Sequence, residues 1–297
     1  MADARTTSAL LSAQPVEYVD EGATAVAVRR AGQGPAIILI PGFPLHSLTY
    51  RRLVPHLADA FTCYCVDLPG TGESRWTVAT DFSFPAHARR LMRMADAFGL
   101  EQFDIIGHDS GGSVARHLAL LDPKRSHRLV IINSEIPHHR PPWIPTYQKL
   151  LALPGSSYAL RMLFASDAYL RSSLGFGGCF FDLRCIDDEF KALFVEPIVR
   201  EHRKAVGYGR FLRALDWAES DAFEKRHRDI AAPTLLVWGR DDPTFPEPLG
   251  RDMARQFAGG AAFESIPATR LFPHEEKPDE VARVVRPFLL DGRDRRL

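Results

Sequence analysis

Apolar runs of strand length recur along the chain, separated by stretches with helical spacing. Ala36-Ile-Ile-Leu-Ile40 is continuously apolar and stops at Pro41-Gly42, which predicts a strand buried on both faces and followed by a tight turn. Thr62–Val66 is a second such run, closed by Asp67-Leu-Pro-Gly-Thr-Gly72. Phe103–Ile106 leads into Gly107-His-Asp-Ser-Gly-Gly112, Leu129–Ile132 is a fourth, and Thr234–Trp238 ends at Gly239-Arg-Asp-Asp-Pro243. Helical spacing covers Leu48–Ala58, Phe84–Phe98 with Gly99 as its stop, Ser113–Leu121 up to Asp122-Pro123, and Pro278–Leu289. Strands alternating with helices predict a mostly parallel sheet covered by helices on both faces and joined by right-handed crossovers.

The pattern breaks between Pro137 and Arg228. That stretch opens with Pro137, Pro141, Pro142 and Pro145 and continues as Leu-, Phe- and Arg-rich helical sequence. It reads as a helical cap inserted into one core. The expected organisation is a core from residues 1–136 and 229–297, with a cap (lid) at residues 137–228. No internal repeat interrupts this scheme.

Composition narrows the function. At 297 residues the chain allows one large α/β domain with an insertion. Lys+Arg 37 balances Asp+Glu 37, so charge offers no case for a nucleic-acid or anionic-membrane partner. The closing Arg293-Asp-Arg-Arg296 reads as a solvated tail, too short for a basic arm. No apolar run reaches the roughly 18 residues a membrane helix needs. Met1–Thr7 lacks the charged-then-apolar order of a signal peptide. Cys63, Cys65, Cys179 and Cys185 are too few for a disulfide framework and include no pairing with His that would suit zinc. The expectation is a cytoplasmic protein with reduced thiols, no metal and no cofactor; a homodimer is left open.

In a parallel sheet, ligands gather beyond the carboxyl ends of the strands, and three of those ends carry pointed chemistry. Gly107-His108-Asp109-Ser110-Gly111 has the G-x-D-x-G form of a strained strand-to-helix turn that lifts its central side chain above the sheet. A carboxylate there suits attack on a saturated carbon, as in an epoxide or an alkyl halide, and leaves an alkyl ester. Pro41-Gly42-Phe43-Pro44 follows the first long strand, where the Phe43 N–H, with that of Ser110, can form an oxyanion hole. Gly239-Arg-Asp241-Asp242-Pro243 offers either Asp as the acid that orients an imidazole.

These residues resemble the α/β-hydrolase superfamily, in its aspartate-nucleophile branch of epoxide hydrolases and haloalkane dehalogenases, over roughly Pro15 to Leu290. The resemblance implies an α/β-hydrolase fold with Asp109 as nucleophile, Phe43 and Ser110 as the oxyanion hole and Asp242 as the triad acid. The family's oxyanion motif begins with His, where this chain has Pro41. The family's base lies in Gly-His-Phe before Glu-Glu-x-Pro; here the segment is Arg270-Leu271-Phe272-Pro-His274-Glu-Glu-Lys-Pro278, so Leu271 stands at the position of the base. His274, three residues on, is the candidate substitute base. An acid used by some relatives after the preceding strand would fall near Asn133, with Glu135 close by.

Ser110 follows the nucleophile where dehalogenases place Trp or Arg to hold halide, which tilts the reading toward an epoxide. Tyr147, Tyr158, Tyr169 and Tyr208 supply candidate proton donors in the cap. His108, Trp143, Tyr147 and Leu271 are the candidate substrate-contact residues, and His138 and His139 begin the cap beside the site. The expected partner is a small or medium hydrophobic organic substrate. A non-hydrolytic lyase, isomerase or cyclase, or a binding protein without turnover, is the rival that Leu271 keeps in play.

Overall fold

The structure, a computed structural model, describes residues 9–291; Met1–Thr7 and Arg293–Arg296 lie outside the described residues. Its strands are β1 (Val16–Glu21), β2 (Thr24–Gly32), β3 (Ala36–Ile40), β4 (Thr62–Asp67), β5 (Phe103–His108), β6 (Ser126–Ile132), β7 (Thr234–Gly239) and β8 (Ala262–Ile266). They form one 8-stranded sheet in the order β1-β2-β4-β3-β5-β6-β7-β8. β1 and β2 pair antiparallel, as do β2 and β4, and all the remaining pairs are parallel.

Residue character explains the layout. β3, β5 and β7 are buried along their whole length, as strands covered on both faces must be. The edge strands differ. β1 and β8 alternate between exposed and half-buried positions, so they carry no apolar run for sequence reading to detect. Cys63 and Cys65 fall on β4, both fully buried and unbridged.

Helices α1 (Phe84–Ala97) and α2 (Ser110–Leu121) cross between strands, and the N-cap Ser83 side chain accepts from the Ala86 N–H. Between β6 and β7 the described residues contain helices but no strand; the longer ones are α3 (Trp143–Leu150), α4 (Ser156–Phe164), α5 (His202–Arg213) and α6 (Trp217–Arg226). After β7 come α7 (Glu247–Ala254) and α8 (Pro278–Leu290). The helix expected over Leu48–Ala58 is a correction. Two short 3₁₀ turns, Ser47–Tyr50 and Val54–His56, stand there instead. Pro55 lacks an N–H and its ring collides with the carbonyl four residues back, so a continuous α-helix cannot form. Among the described residues no helix is long and apolar enough to cross a membrane.

Candidate active site

Asp109 sits between β5 and α2 with φ 50° and ψ −128°. A non-glycine residue in that region is strained, at a cost of order 1–3 kcal/mol, and persists only where its surroundings enforce it. Two chain contacts do so here. The Asp109 N–H donates to the Asn133 carbonyl at 2.7 Å, and its own carbonyl accepts from the Gly112 N–H at 2.8 Å. Glycine is required alongside: a Cβ on Gly111 would lie 2.4 Å from the carbonyl oxygens of Ile40 and Pro41. Gly42 likewise lets the β3 loop pass against Asp109, since a Cβ there would come within 2.4 Å of the Asp109 Cβ.

Burial pushes the Asp109 carboxyl well above the usual carboxylate range, and the Glu135 and Asp242 carboxylates push it in the same direction. The backbone N–H groups of Ser110 and Phe43 draw it down. Both amides are therefore aimed where an oxyanion on this side chain would need them. The Phe43 N–H also donates to Ser110 Oγ at 2.9 Å, which fixes the loop against the start of α2.

Above Asp109 lies a cavity of about 450 Å³. Phe43, Ser110, Trp143, Tyr147 and Leu271 line it, as the sequence suggested. So do Glu135, Tyr169, Cys179, Tyr208 and Arg270. Of these, Tyr169 and Tyr208 were among four tyrosines between which the sequence could not choose, because which face of a helix turns inward is a tertiary fact. Tyr158 is exposed and outside the cavity. The Tyr147 hydroxyl donates to the Leu174 carbonyl at 2.8 Å and lies 3.4 Å from the Tyr169 hydroxyl. The Tyr208 ring packs on Phe43 with centroids 4.3 Å apart. Burial raises the pKa of both Tyr169 and Tyr208, and burial likewise raises the Cys179 thiol, so all three are protonated at neutral pH.

Asp242 stands beside the cavity, between Asp241 and Pro243 that line it. Its Oδ1 accepts from the Thr244 N–H at 2.8 Å and its Oδ2 from the Asn133 side-chain amide at 2.7 Å. Asn133 is oriented in turn by the Gly239 N–H, which donates to its Oδ1 at 2.7 Å. With no cation in contact, burial raises the Asp242 carboxyl to about 7. Asp241 is exposed and turns to the Ala268 N–H instead.

Among the described residues no histidine lines the cavity. His274 is buried behind it. Its Nε2 lies 2.8 Å from Thr49 Oγ1, whose own proton goes to Glu275 Oε1, so His274 must donate and its Nδ1 is left bare without a partner. Burial holds its pKa well below 6.5. His108 packs against it, ring centroids 4.4 Å apart, and its Nε2–H donates to the Leu271 carbonyl at 2.9 Å. Burial drives His108 down to about 3. Neither His108 nor His274 meets the cavity, whereas sequence reading had offered the first as a substrate contact and the second as a base. His139 Nε2 pairs with the Thr244 carbonyl, and His138 lies on the surface between Asp221 and Glu224.

Comparison with known proteins agrees with this architecture. Residues 35–278 match the alpha/beta hydrolase fold family. An uncharacterized Mycobacterium tuberculosis protein is 26% identical over 279 residues, covering 89% of this chain and 77% of the relative. Haloalkane dehalogenase 2 of Mycobacterium tuberculosis is 24% identical over 284 residues, covering 91% of this chain and 90% of the relative. Among solved structures, the ligand-free epoxide hydrolase CorEH superposes with a TM-score of 0.78 at 20% identity, over 93% of this chain and 98% of that one. Sheet order, strained turn and family match coincide over most of the length: the chain belongs to the α/β-hydrolase fold family.

Proposed function

We propose that this protein is an epoxide hydrolase-like enzyme in which Asp109 attacks an electrophilic carbon of a small or medium hydrophobic substrate. The observation that carries the reading is a buried carboxyl on a strained turn, facing an aromatic cavity and two backbone N–H donors. An epoxide fits better than a halide. The protonated hydroxyls of Tyr169 and Tyr208 supply the proton an opening epoxide oxygen needs, and Ser110 replaces the aromatic or cationic side chain that would hold departing halide. The similarity to haloalkane dehalogenase 2 and to the structure of CorEH supports chemistry at a saturated carbon.

In the first step, an Asp109 carboxylate oxygen forms a bond to one epoxide carbon. The carbon–oxygen bond breaks and the released alkoxide takes a cap tyrosine proton. The product is a hydroxyalkyl ester on Asp109. In the second step, water adds to the ester carbonyl carbon, and the Phe43 and Ser110 N–H groups stabilise the resulting oxyanion. The test is intact mass after incubation with a panel of epoxides and alkyl halides, together with assay of diol or halide release. Asp109→Asn should lose both turnover and adduct, because an amide is neither an anionic nucleophile nor a base. Full activity in that variant removes Asp109 from the chemistry.

A further inference from the structure

The second step needs a group to take a proton from water, and the cavity offers few. Its lining contains no histidine among the described residues. Tyr169, Tyr208 and Cys179 are protonated and too weakly acidic to exist as bases at neutral pH, and the Tyr147 hydroxyl donates to the Leu174 carbonyl. Asp241 is exposed and bonded to a backbone amide. Arg270 has no lone pair to give. Glu135 is what remains.

Its placement is specific. Glu135 follows β6, on the flank of Asp109 opposite the β3 loop that carries the Phe43 N–H, since β5 lies between β3 and β6. The side chain is 2% exposed and lines the cavity. Ser113 Oγ and Ser134 Oγ donate to its Oε2 at 2.8 and 3.0 Å, while Oε1 carries no such bond. Ser134 Oγ shares its one proton between Oε2 and the Asp109 carbonyl, 2.8 Å away, which ties the Glu135 backbone to the turn. Arg116, fully buried and drawn down by burial to about 10, remains a cation 3.9 Å from Oε2.

We infer that Glu135 is the general base of ester hydrolysis, acting from the β6 side of Asp109 in place of an imidazole at position 271. This rests on the reading of Asp109 as nucleophile. Free Asp109 and Glu135 repel one another, whereas the ester is neutral. Forming it therefore removes that repulsion, and Glu135 stays on the wall of the cavity that Asp109 also lines. Glu135 takes one proton from water as the oxygen bonds to the Asp109 carbonyl carbon. The tetrahedral intermediate collapses, the carbon–alkoxide bond breaks, and the alkoxide leaves as diol with the Glu135 proton. The cap tyrosine regains a proton from bulk water before this step and the Asp109 carboxyl returns one to bulk water after it, so epoxide plus water gives diol and every side chain is restored.

Single-turnover mass spectrometry on an epoxide tests this. Glu135→Gln should form the Asp109 ester at least as fast as wild type, because the repulsion that disfavours the Asp109 carboxylate is gone, and lose it about 10²–10⁴-fold more slowly. Unimpaired ester formation also shows that this variant is folded. Should Glu135→Gln not fold, Glu135→Asp, which keeps charge but withdraws the oxygen, should slow ester loss selectively. Ester hydrolysis within tenfold of wild type in the folded variant overturns the inference, as does a wild-type ester that is never released. A slowed variant that makes diol without ever carrying an ester would instead fault Asp109 as nucleophile and retain Glu135 as base to water. Neither adduct nor diol from any epoxide sinks the epoxide reading and this inference with it.

Discussion

Replacing Asp242 by Asn should change how stability depends on pH, and the structure sets both sign and size. Asp242 is buried, both oxygens accept hydrogen bonds, and its carboxyl is raised from 3.8 to about 7. A raised carboxyl binds its proton more tightly folded than unfolded. Its contribution is thus intact below the unfolded value near 3.8 and is lost as pH climbs through about 7. A gap of about three pH units corresponds to about 4 kcal/mol. Asn does not titrate, so wild type minus variant stability should fall by about that amount from pH 4 to pH 8. A constant offset of about 1–3 kcal/mol in favour of wild type is added to this, because an Asn amide must point a donor at either the Asn133 amide or the Thr244 N–H, so the difference favours wild type at low pH and reverses at high pH. A difference is needed rather than one curve. Buried His87, His108, His117 and His227, each drawn to about 3, lose stability as pH falls below 6.5 and so act with the opposite sign in the same window. Urea denaturation of both proteins at matched ionic strength, from pH 4.5 to 8.5, reads it. Parallel curves would mean that Asp242 stays ionised throughout and that a cation contacts it, refuting the account of a triad acid without its imidazole.

The remaining predictions concern the base. In the Glu135→Gln background, Leu271→His should shorten the life of the Asp109 ester by up to about 10²–10⁴-fold, read as decay of the adduct mass; an unchanged lifetime would show that position 271 does not reach the ester. His274→Ala should leave ester formation and loss within a few-fold of wild type while lowering stability by about 2 kcal/mol or more, since a fully buried ring hydrogen-bonded to Thr49 is removed. Loss of hydrolysis with stable adduct in that variant would make His274 the base after all.

Much of this was legible in sequence because its causes are local. Apolar runs mark β3 to β7 since these strands are covered on both faces, and Gly107-His-Asp-Ser-Gly111 marks the turn since only small neighbours tolerate it. β1 and β8 lie at the edges of the sheet, where partial exposure removes the pattern, and β2, though buried over Thr24–Val28, carries only small side chains there. Pro55 was visible but its effect was outweighed by the apolar spacing around it. The fate of His274 was not legible at all. Its distance in sequence from Leu271 is short, yet the helical turn Pro273–Glu276 directs it toward Thr49, and only the packing of Ser47–Tyr50 against that turn decides the direction. Glu135 was noticed beside Asn133, but its role depended on learning which side chains share the cavity.

The loop carrying Leu271 is held by bonds that the Leu271 side chain does not make. Glu276 Oε2 accepts from the Arg270 N–H at 2.9 Å and Oε1 from the Phe181 and Asp182 N–H groups at 2.7 and 3.0 Å. His108 holds the Leu271 carbonyl, and the Asn133 side-chain amide donates to Asp242 Oδ2. Every one of these bonds goes to backbone or to a neighbouring side chain, so position 271 is fixed whatever its side chain. Leucine there costs the fold nothing and seals the cavity wall with apolar surface. It supplies no proton acceptor, and burial of Asp242 raises that carboxyl to about 7. On the inference drawn above, the chemistry passes to a carboxyl group already buried and held by its own partners. Glu135, with Arg116 behind it and two serines on one oxygen, meets those conditions without any rearrangement of the Leu271 loop.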